Sequence, residues 1–110
     1  MYMKFTHPKV IEYIINNYYK VTPLRVTTIR SHYYNKGKRI KVYVCGYGIG
    51  DAIVVKTDKL RNAVLYVQYS GFDNVDEWIN EASRLHKYKR NLQVVVIDII
   101  DFRVSRRAIC

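Results

Sequence analysis

The 110 residues of this chain fit a single domain, residues 1–110, and 49% of them are hydrophobic, too many for a disordered chain. No apolar run approaches the roughly 20 residues of a membrane span, and no secretory signal opens the chain, so the sequence predicts an intracellular, cytoplasmic protein. The formal net charge is +10 and is unevenly distributed. Residues 1–50 carry nine Lys or Arg and one acid, whereas residues 51–110 carry ten bases and eight acids. This asymmetry favours a polyanionic partner on one face, and solubility alone is the alternative explanation.

In chain order, the first predicted element is a helix over residues 7–19. Thr6 is its predicted N-cap, Pro8 lies in its first turn, and apolar residues then recur at helical spacing. Arg25–Arg30 is rich in β-branched residues and predicts a strand. A turn at residues 35–38 leads to further strands at 40–45 and 49–57.

The second half of the chain predicts a strand, a helix and a last strand. Ala63–Tyr69 has strand composition, and Asn74 followed by Glu77 fits the capping box of a helix. Leu92–Val104 predicts a long buried strand. The order α-β-β-β-β-α-β therefore predicts an α+β domain, with a mostly antiparallel sheet or small β-barrel and flanking helices.

No motif for catalysis or metal binding stands out. The glycines of GYGIG, residues 46–50, are followed by a strand and not a helix, so they predict a hairpin turn and not a phosphate loop. Cys45 and Cys110 have no partner at metal-ligand spacing, so neither a metal nor another cofactor is predicted. The histidines are predicted to be surface residues: His7, His32 and His86.

The basic stretch PLRVTTIRSHYYNKGKR, residues 23–39, is the strongest candidate for a binding site. Arginine binds phosphate through a planar fork, threonine adds neutral hydrogen bonds, and tyrosine stacks on unpaired bases with roughly 1–3 kcal/mol per base. Lysines in the following turn supply salt-sensitive contacts. The predicted nucleic-acid-binding residues are Arg25, Thr27, Thr28, Arg30, Tyr33, Tyr34, Lys36, Lys38 and Arg39. The alternative is an exposed strand edge protected from aggregation by its charges.

The segments TTIR, NKGKRIKVYV, GIGDAIVVKT, SGFDNVDEWI and LQVVVIDI, in this order, resemble an ASCH domain. This activating-signal-cointegrator homology family belongs to the PUA-like superfamily. The resemblance runs from about Val21 to Val104, and residues 71–78 carry it most clearly. It implies a small PUA-like β-barrel with flanking helices and a cleft beside the first strand, in a family expected to bind RNA or nucleotides.

The same resemblance implies an enzymatic alternative. Some ASCH members are small amidohydrolases that act on acetylated cytidine, and nuclease activity has been proposed for others. In the amidohydrolases the catalytic lysine lies three residues before the motif threonine, which matches Thr28, and a later glutamate assists. Arg25 takes the lysine's place here, and arginine is a poor general base because it stays protonated near neutral pH. The sequence therefore favours RNA binding over an acetylcytidine amidohydrolase or ribonuclease, which would use Arg25, Thr28 and Glu77.

A protein-interaction module is a third interpretation. It would use the tyrosines of the first helix, Tyr13, Tyr18 and Tyr19, with their rings exposed. Between binding and catalysis, the position of an acid decides. A basic cleft without an acid favours binding, whereas an acid from residues 73–77 placed opposite the basic strand favours catalysis.

Overall fold

The computed structural model describes residues 2–18, 20–87 and 91–102. Its strands are β1 (Tyr2–Phe5), β2 (Leu24–Arg30), β3 (Arg39–Val44), β4 (Tyr47–Lys59) and β5 (Gln93–Phe102). The α-helices are α1 (Pro8–Asn17) and α2 (Val75–Leu85), and two short 3₁₀ helices cover Leu60–Leu65 and Val67–Tyr69. Among the described residues, no helix has the length and apolar character needed to cross a bilayer.

The five strands form one mixed sheet in the order β1-β3-β4-β5-β2. β1 pairs with β3 in parallel, and the other three pairings are antiparallel. The sheet curls into a half-barrel, and the predicted α+β class is confirmed. The edge strands β1 and β2 lie close to each other, and the Arg30 Nη2 of β2 donates a hydrogen bond to the Lys4 carbonyl of β1 at 2.6 Å. We call this gap between the two edge strands the seam.

The core lies on both sides of β5, the strand between β4 and β2. Residues 94–97 of β5 are all buried, so both of its faces are covered although successive side chains point in opposite directions. Val10 and Ile14 of α1, and Trp78 and Ala82 of α2, are buried in the same core. β5 is therefore a buried strand rich in β-branched residues, as the sequence predicts for the segment that begins at Leu92. The part of that prediction at residues 103–104 lies outside the described residues.

The chain begins differently from the prediction, because a strand precedes the first helix. In β1, Met3 and Phe5 are buried whereas Tyr2 and Lys4 are exposed, which is the alternation of a strand with one covered face. The predicted Thr6 cap is wrong. His7 is the N-cap of α1, since its Nδ1 accepts a hydrogen bond of 3.2 Å from the Lys9 N–H.

The strand predicted at Ala63–Tyr69 is also wrong, because 3₁₀ helices occupy this segment. The Asp58 carboxylate folds the chain back: it accepts hydrogen bonds from the Tyr66 hydroxyl, the Asn62 amide and the Lys59 N–H. These bonds, that of Tyr66 above all, lower the pKa of Asp58 to about 2. Local hydrogen bonding has overridden strand composition here.

The hairpin predicted at residues 46–48 is confirmed. The turn between β3 and β4 places Cys45 and Gly46 at positive φ, and a bulge follows in the pairing at Val42/Tyr43. α1 ends at Asn17, shortly before the predicted end at Tyr19, which lies outside the described residues.

The tyrosines of α1 do not form an exposed face. Tyr13 and Tyr18 are partly buried and pack against the core, and the Tyr13 hydroxyl donates to the Arg25 carbonyl at 2.9 Å. The protein-interaction interpretation loses its support at these two residues, and its third tyrosine, Tyr19, lies outside the described residues.

Candidate functional site

A cleft of about 280 Å³ opens at the seam, between the two edge strands and α2. Its volume is close to the lower end, roughly 300 Å³, of typical ligand pockets. The polar residues that line it are Lys4, Thr6, His7, Thr28, Arg30, Glu81 and His86. The apolar residues are Phe5, Val10, Ile29, Phe72, Trp78, Ala82 and Leu85. We call this the seam cleft, and it combines apolar walls with a few convergent polar groups.

Arg30 is the central cation of the seam cleft. Its Nε donates to the Thr28 hydroxyl at 3.2 Å, and its Nη2 donates to the Lys4 carbonyl. The guanidinium carbon lies 5.2 Å from the centre of the Phe5 ring, close enough for a cation–π contact. Burial lowers the pKa of the Arg30 guanidinium, and the nearby Tyr34 phenol offsets part of that effect. Arginine still remains charged at neutral pH.

His7 ties α1 to α2 at the edge of the cleft. Because its Nδ1 accepts from the Lys9 N–H, the neutral ring carries its proton on Nε2 and donates to Glu81 at 3.3 Å. Glu81 also accepts from Arg84 at 2.8 Å. The Arg84 hydrogen bond, with a smaller contribution from His7, lowers the pKa of Glu81. Glu81 is therefore a carboxylate, an acceptor, at neutral pH.

Side chains from later in the chain hold β2 and the segment that follows it. His86, just after α2, places its Nε2 3.0 Å from the Ile29 carbonyl, which can only accept, so this nitrogen carries a proton. The amide side chains of Asn91 and Gln93 donate to the carbonyls of Ser31 and His32. The seam cleft is thus built around a β2 strand whose exit is fixed at three carbonyls.

The structure divides the predicted residues of β2 between two faces. Thr28 and Arg30 line the seam cleft. Arg25 lies outside it, where Nε and Nη2 form two hydrogen bonds to the Asp98 carboxylate at 2.9 and 3.1 Å. Thr27 is buried on the other face and donates to the Tyr66 carbonyl at 2.7 Å. Of the four binding residues predicted on β2, Thr28 and Arg30 line the cleft, and Arg25 and Thr27 do not.

The binding residues predicted after β2 are also divided. Tyr34 is only 6% exposed and packs in the core, so it cannot stack on a base, whereas Tyr33 is 71% exposed. Lys36 and Lys38 are exposed in the turn before β3. Arg39 donates two hydrogen bonds to Asp51, at 2.8 and 3.2 Å, and is thereby engaged on the sheet.

The acids predicted for a catalytic role lie elsewhere. Glu77 forms an ion pair with Lys9 and does not line the seam cleft. The Asn74 cap is as predicted, since its Oδ1 accepts from the N–H groups of Asp76 and Glu77. The acid that does share the cleft with Thr28 and Arg30 is Glu81. Among the described residues, no group of three or more His, Cys, Asp or Glu is placed to hold a metal.

Comparison with known proteins shows that the chain is similar in sequence to a viral protein. No family model matches the chain. Uncharacterized protein 105 of Sulfolobus islandicus rod-shaped virus 1 is 33% identical over 104 residues, a match that covers 91% of this chain and 95% of that protein. The chain belongs to the family of that viral protein. Because the match covers nearly all of both proteins, the family shares the domain as a whole and not a short motif.

Several residues of the seam cleft were not predicted from the sequence. His7 and His86 were predicted to lie on the surface, yet both line the cleft. A signal for Glu81 was present: it lies three residues after Trp78 and four before Leu85, on the apolar face of α2. An acid on the apolar face of a helix is costly without partners, and His7 and Arg84 supply them here.

Proposed function

We propose that this chain is an RNA-binding domain of the ASCH/PUA-like type, which holds one nucleotide of an RNA strand in the seam cleft. The observation that carries the proposal is a partly desolvated arginine, Arg30, beside the Thr28 hydroxyl in a cleft with aromatic walls. The ASCH resemblance implies a small barrel with a cleft beside the first predicted strand, which is β2. The curled half-barrel and the position of the seam cleft beside β2 also fit this.

Arg30 has hydrogen-bonding capacity to spare. A guanidinium carries five N–H groups, and in the described part of the chain two of the Arg30 nitrogens each make one hydrogen bond. The remaining N–H groups are available for a phosphate or a base carbonyl, which a guanidinium binds with matched geometry. The existing bonds hold the fork in place, so little side-chain entropy is lost on binding.

The other cleft residues suit a nucleobase. Trp78 and Phe72 are only 3% and 6% exposed, so they form an apolar wall at the back of the cleft, against which the edge of a base packs, and do not offer a ring face for stacking. Glu81 is an acceptor, and a carboxylate accepts from the exocyclic amino group of a base. The cleft therefore offers an acceptor to the amino group of cytosine, adenine or guanine.

Charge outside the cleft supports a polyanion. The net charge is +10, and Lys36 and Lys38 are exposed in the turn that follows β2. Such lysines contact phosphates without sequence preference and make affinity strongly dependent on salt. In this proposal the lysines attract the strand and the seam cleft selects the nucleotide.

Binding of short single-stranded RNA, followed by fluorescence anisotropy over a salt series, tests the proposal. We expect affinity to fall steeply as the salt concentration rises. Thr28→Val is expected to weaken affinity about five-fold, through loss of the hydrogen bond between the Thr28 hydroxyl and the RNA. Thr27→Val is the matched control, because that hydroxyl bonds Tyr66 on the other face and its loss should leave affinity unchanged. Affinity no higher than that of an unrelated basic protein would contradict the proposal.

Glu81 gives the enzymatic alternative a specific basis, because an acid does share the cleft with Thr28. A hydrolase of the ASCH type, an acetylcytidine amidohydrolase or a ribonuclease, would use Thr28 and Glu81 and not Arg25 and Glu77. Against it, Arg84 and His7 lower the basicity of Glu81, and the lysine position is taken by an arginine engaged with Asp98. We expect no deacetylation of acetylcytidine and no RNA cleavage; turnover that Glu81→Gln abolishes would establish the alternative.

A further inference from the structure

A second surface with the properties of a nucleic-acid site lies on the outer face of the sheet. In the parallel pairing of β1 with β3, Tyr2 is opposite Lys41 and Lys4 is opposite Tyr43. The tyrosines and lysines therefore alternate diagonally across the two strands. The Tyr2 and Tyr43 rings pack edge to face, with centres 5.7 Å apart. Tyr2 and Tyr33 line one surface depression of about 270 Å³, which extends this aromatic area to the exit of β2.

The Tyr2 and Tyr33 side chains are too exposed to be explained by the core. Tyr2 is 55% exposed and Tyr33 is 71% exposed. We call Tyr2, Tyr33 and Tyr43 the tyrosine platform. Of the three, Tyr43 is partly buried against its neighbours, and the other two present most of their ring surface to solvent.

Two residues of β4 beside the platform are glycines and carry no side chain. A second depression, of about 180 Å³, is lined by Lys41, Tyr43, Gly48 and Gly50. A Cβ at Gly48 would lie 3.4 Å from the Tyr43 ring, at the limit of ordinary contact. Strand glycines occur where a ligand or a backbone approaches closely. The Tyr43 ring therefore already covers Gly48, and the depression beside the ring is the space that takes a flat group.

The charge around the platform is positive. The Lys4 ammonium lies 5.3 Å from the centre of the Tyr2 ring, and Lys41 is exposed. The acid closest in register is Asp51, which faces Lys41 across β3 and β4. Arg39 holds that carboxylate with two hydrogen bonds, so it does not cancel the lysines. Exposed aromatic rings interleaved with uncancelled lysines are the composition of a single-strand stacking surface.

We propose that the tyrosine platform binds single-stranded nucleic acid, with bases stacked on Tyr2, Tyr33 and Tyr43 and phosphates at Lys4 and Lys41. The inference rests on the proposed RNA-binding function and extends it. Lys4 connects the two surfaces, because its carbonyl accepts from Arg30 at the seam cleft and its ammonium lies over the Tyr2 ring. A strand with one nucleotide in the cleft therefore continues across β1 onto the platform.

The test compares platform and cleft variants for binding to a short labelled single-stranded RNA and to the same sequence as a duplex. We expect Tyr2→Ala combined with Tyr33→Ala to weaken single-strand binding about ten-fold or more, and duplex binding far less. Tyr2→Phe should retain affinity, because it keeps the ring. Tyr47→Ala is the matched control: Tyr47 is 54% exposed but belongs to neither depression. Circular dichroism confirms that each variant is folded.

The outcomes separate this inference from the proposed function. If the double tyrosine variant binds like the wild type while Thr28→Val is weakened, the platform is wrong and the seam cleft stands. If the tyrosine variant is weakened and the cleft variants are not, the platform stands and the cleft proposal fails. An equal loss in Tyr47→Ala overturns the platform, since any exposed tyrosine would then matter. A wild type that binds no more tightly than an unrelated basic protein overturns both.

Discussion

Arg30→Lys is expected to weaken RNA binding about ten-fold, or ~1.4 kcal/mol, while Arg25→Lys leaves it within about two-fold. Both variants keep the charge, so long-range attraction of the strand is the same in each. Lysine cannot reproduce the fork that bonds Thr28 and Lys4 and still presents N–H groups to a ligand. Arg25 is held by Asp98 outside the cleft, in a half-exposed ion pair of small energetic effect.

Affinities measured at one salt concentration, together with thermal unfolding of each variant, check this prediction. Arg30 also joins the two edge strands, so a fall in stability is expected with Arg30→Lys. Binding is therefore measured well below the unfolding temperature of the weaker variant. Equal affinities for the two variants would show that the seam cleft is not the binding site. A larger loss with Arg25→Lys would return Arg25 to the role that the sequence predicts for it.

Gly71→Ala is expected to lower the free energy of unfolding by about 3 kcal/mol or more. Gly71 has φ +90°, a conformation that residues with a Cβ rarely adopt. A Cβ at this position would lie 2.4 Å from the Lys9 carbonyl oxygen, a backbone atom that cannot move aside without displacing α1. The next residue, Phe72, lines the seam cleft and packs against His7, so the strain would also distort the site.

Gly46→Ala is the matched control for Gly71→Ala. Gly46 has φ +82°, nearly the same conformation, but an added Cβ would meet nothing within 4 Å. We expect it to cost only the conformational strain, about 1 kcal/mol. Chemical denaturation of the two variants gives the difference directly. Equal losses would mean that α1 moves away from residue 71 at little cost, and that close packing at this point is not needed.

Elements whose signals are local could be predicted from the sequence. The Asn74 cap, the glycine hairpin and the apolar last strand each depend on residues close together in the chain, and all three are present. β1 was missed because it is short and finds its partner, β3, through a parallel pairing that local patterns do not specify.

The candidate site was harder to predict, because its residues meet only through the curl of the sheet. Period-two alternation separates Arg25 and Thr27 from Thr28 and Arg30. It does not say which of the two faces lines a cleft. That choice depends on α2, which begins 45 residues after Arg30 and supplies Trp78 and Glu81. The resemblance to a family motif pointed to Arg25, Thr28 and Arg30, and the geometry places Thr28 and Arg30, but not Arg25, at the cleft.

Fluorescence of Trp78 reports directly on whether RNA enters the seam cleft. Trp78 is the sole tryptophan of the chain, is 3% exposed, and lines the seam cleft. Tryptophan emission is recorded during titration with short single-stranded RNA, and anisotropy of the labelled RNA is measured in parallel. We expect a saturable change in Trp78 emission that follows the anisotropy curve, is weakened by Arg30→Lys and persists in Arg25→Lys. RNA that binds by anisotropy while Trp78 emission stays constant would contradict it.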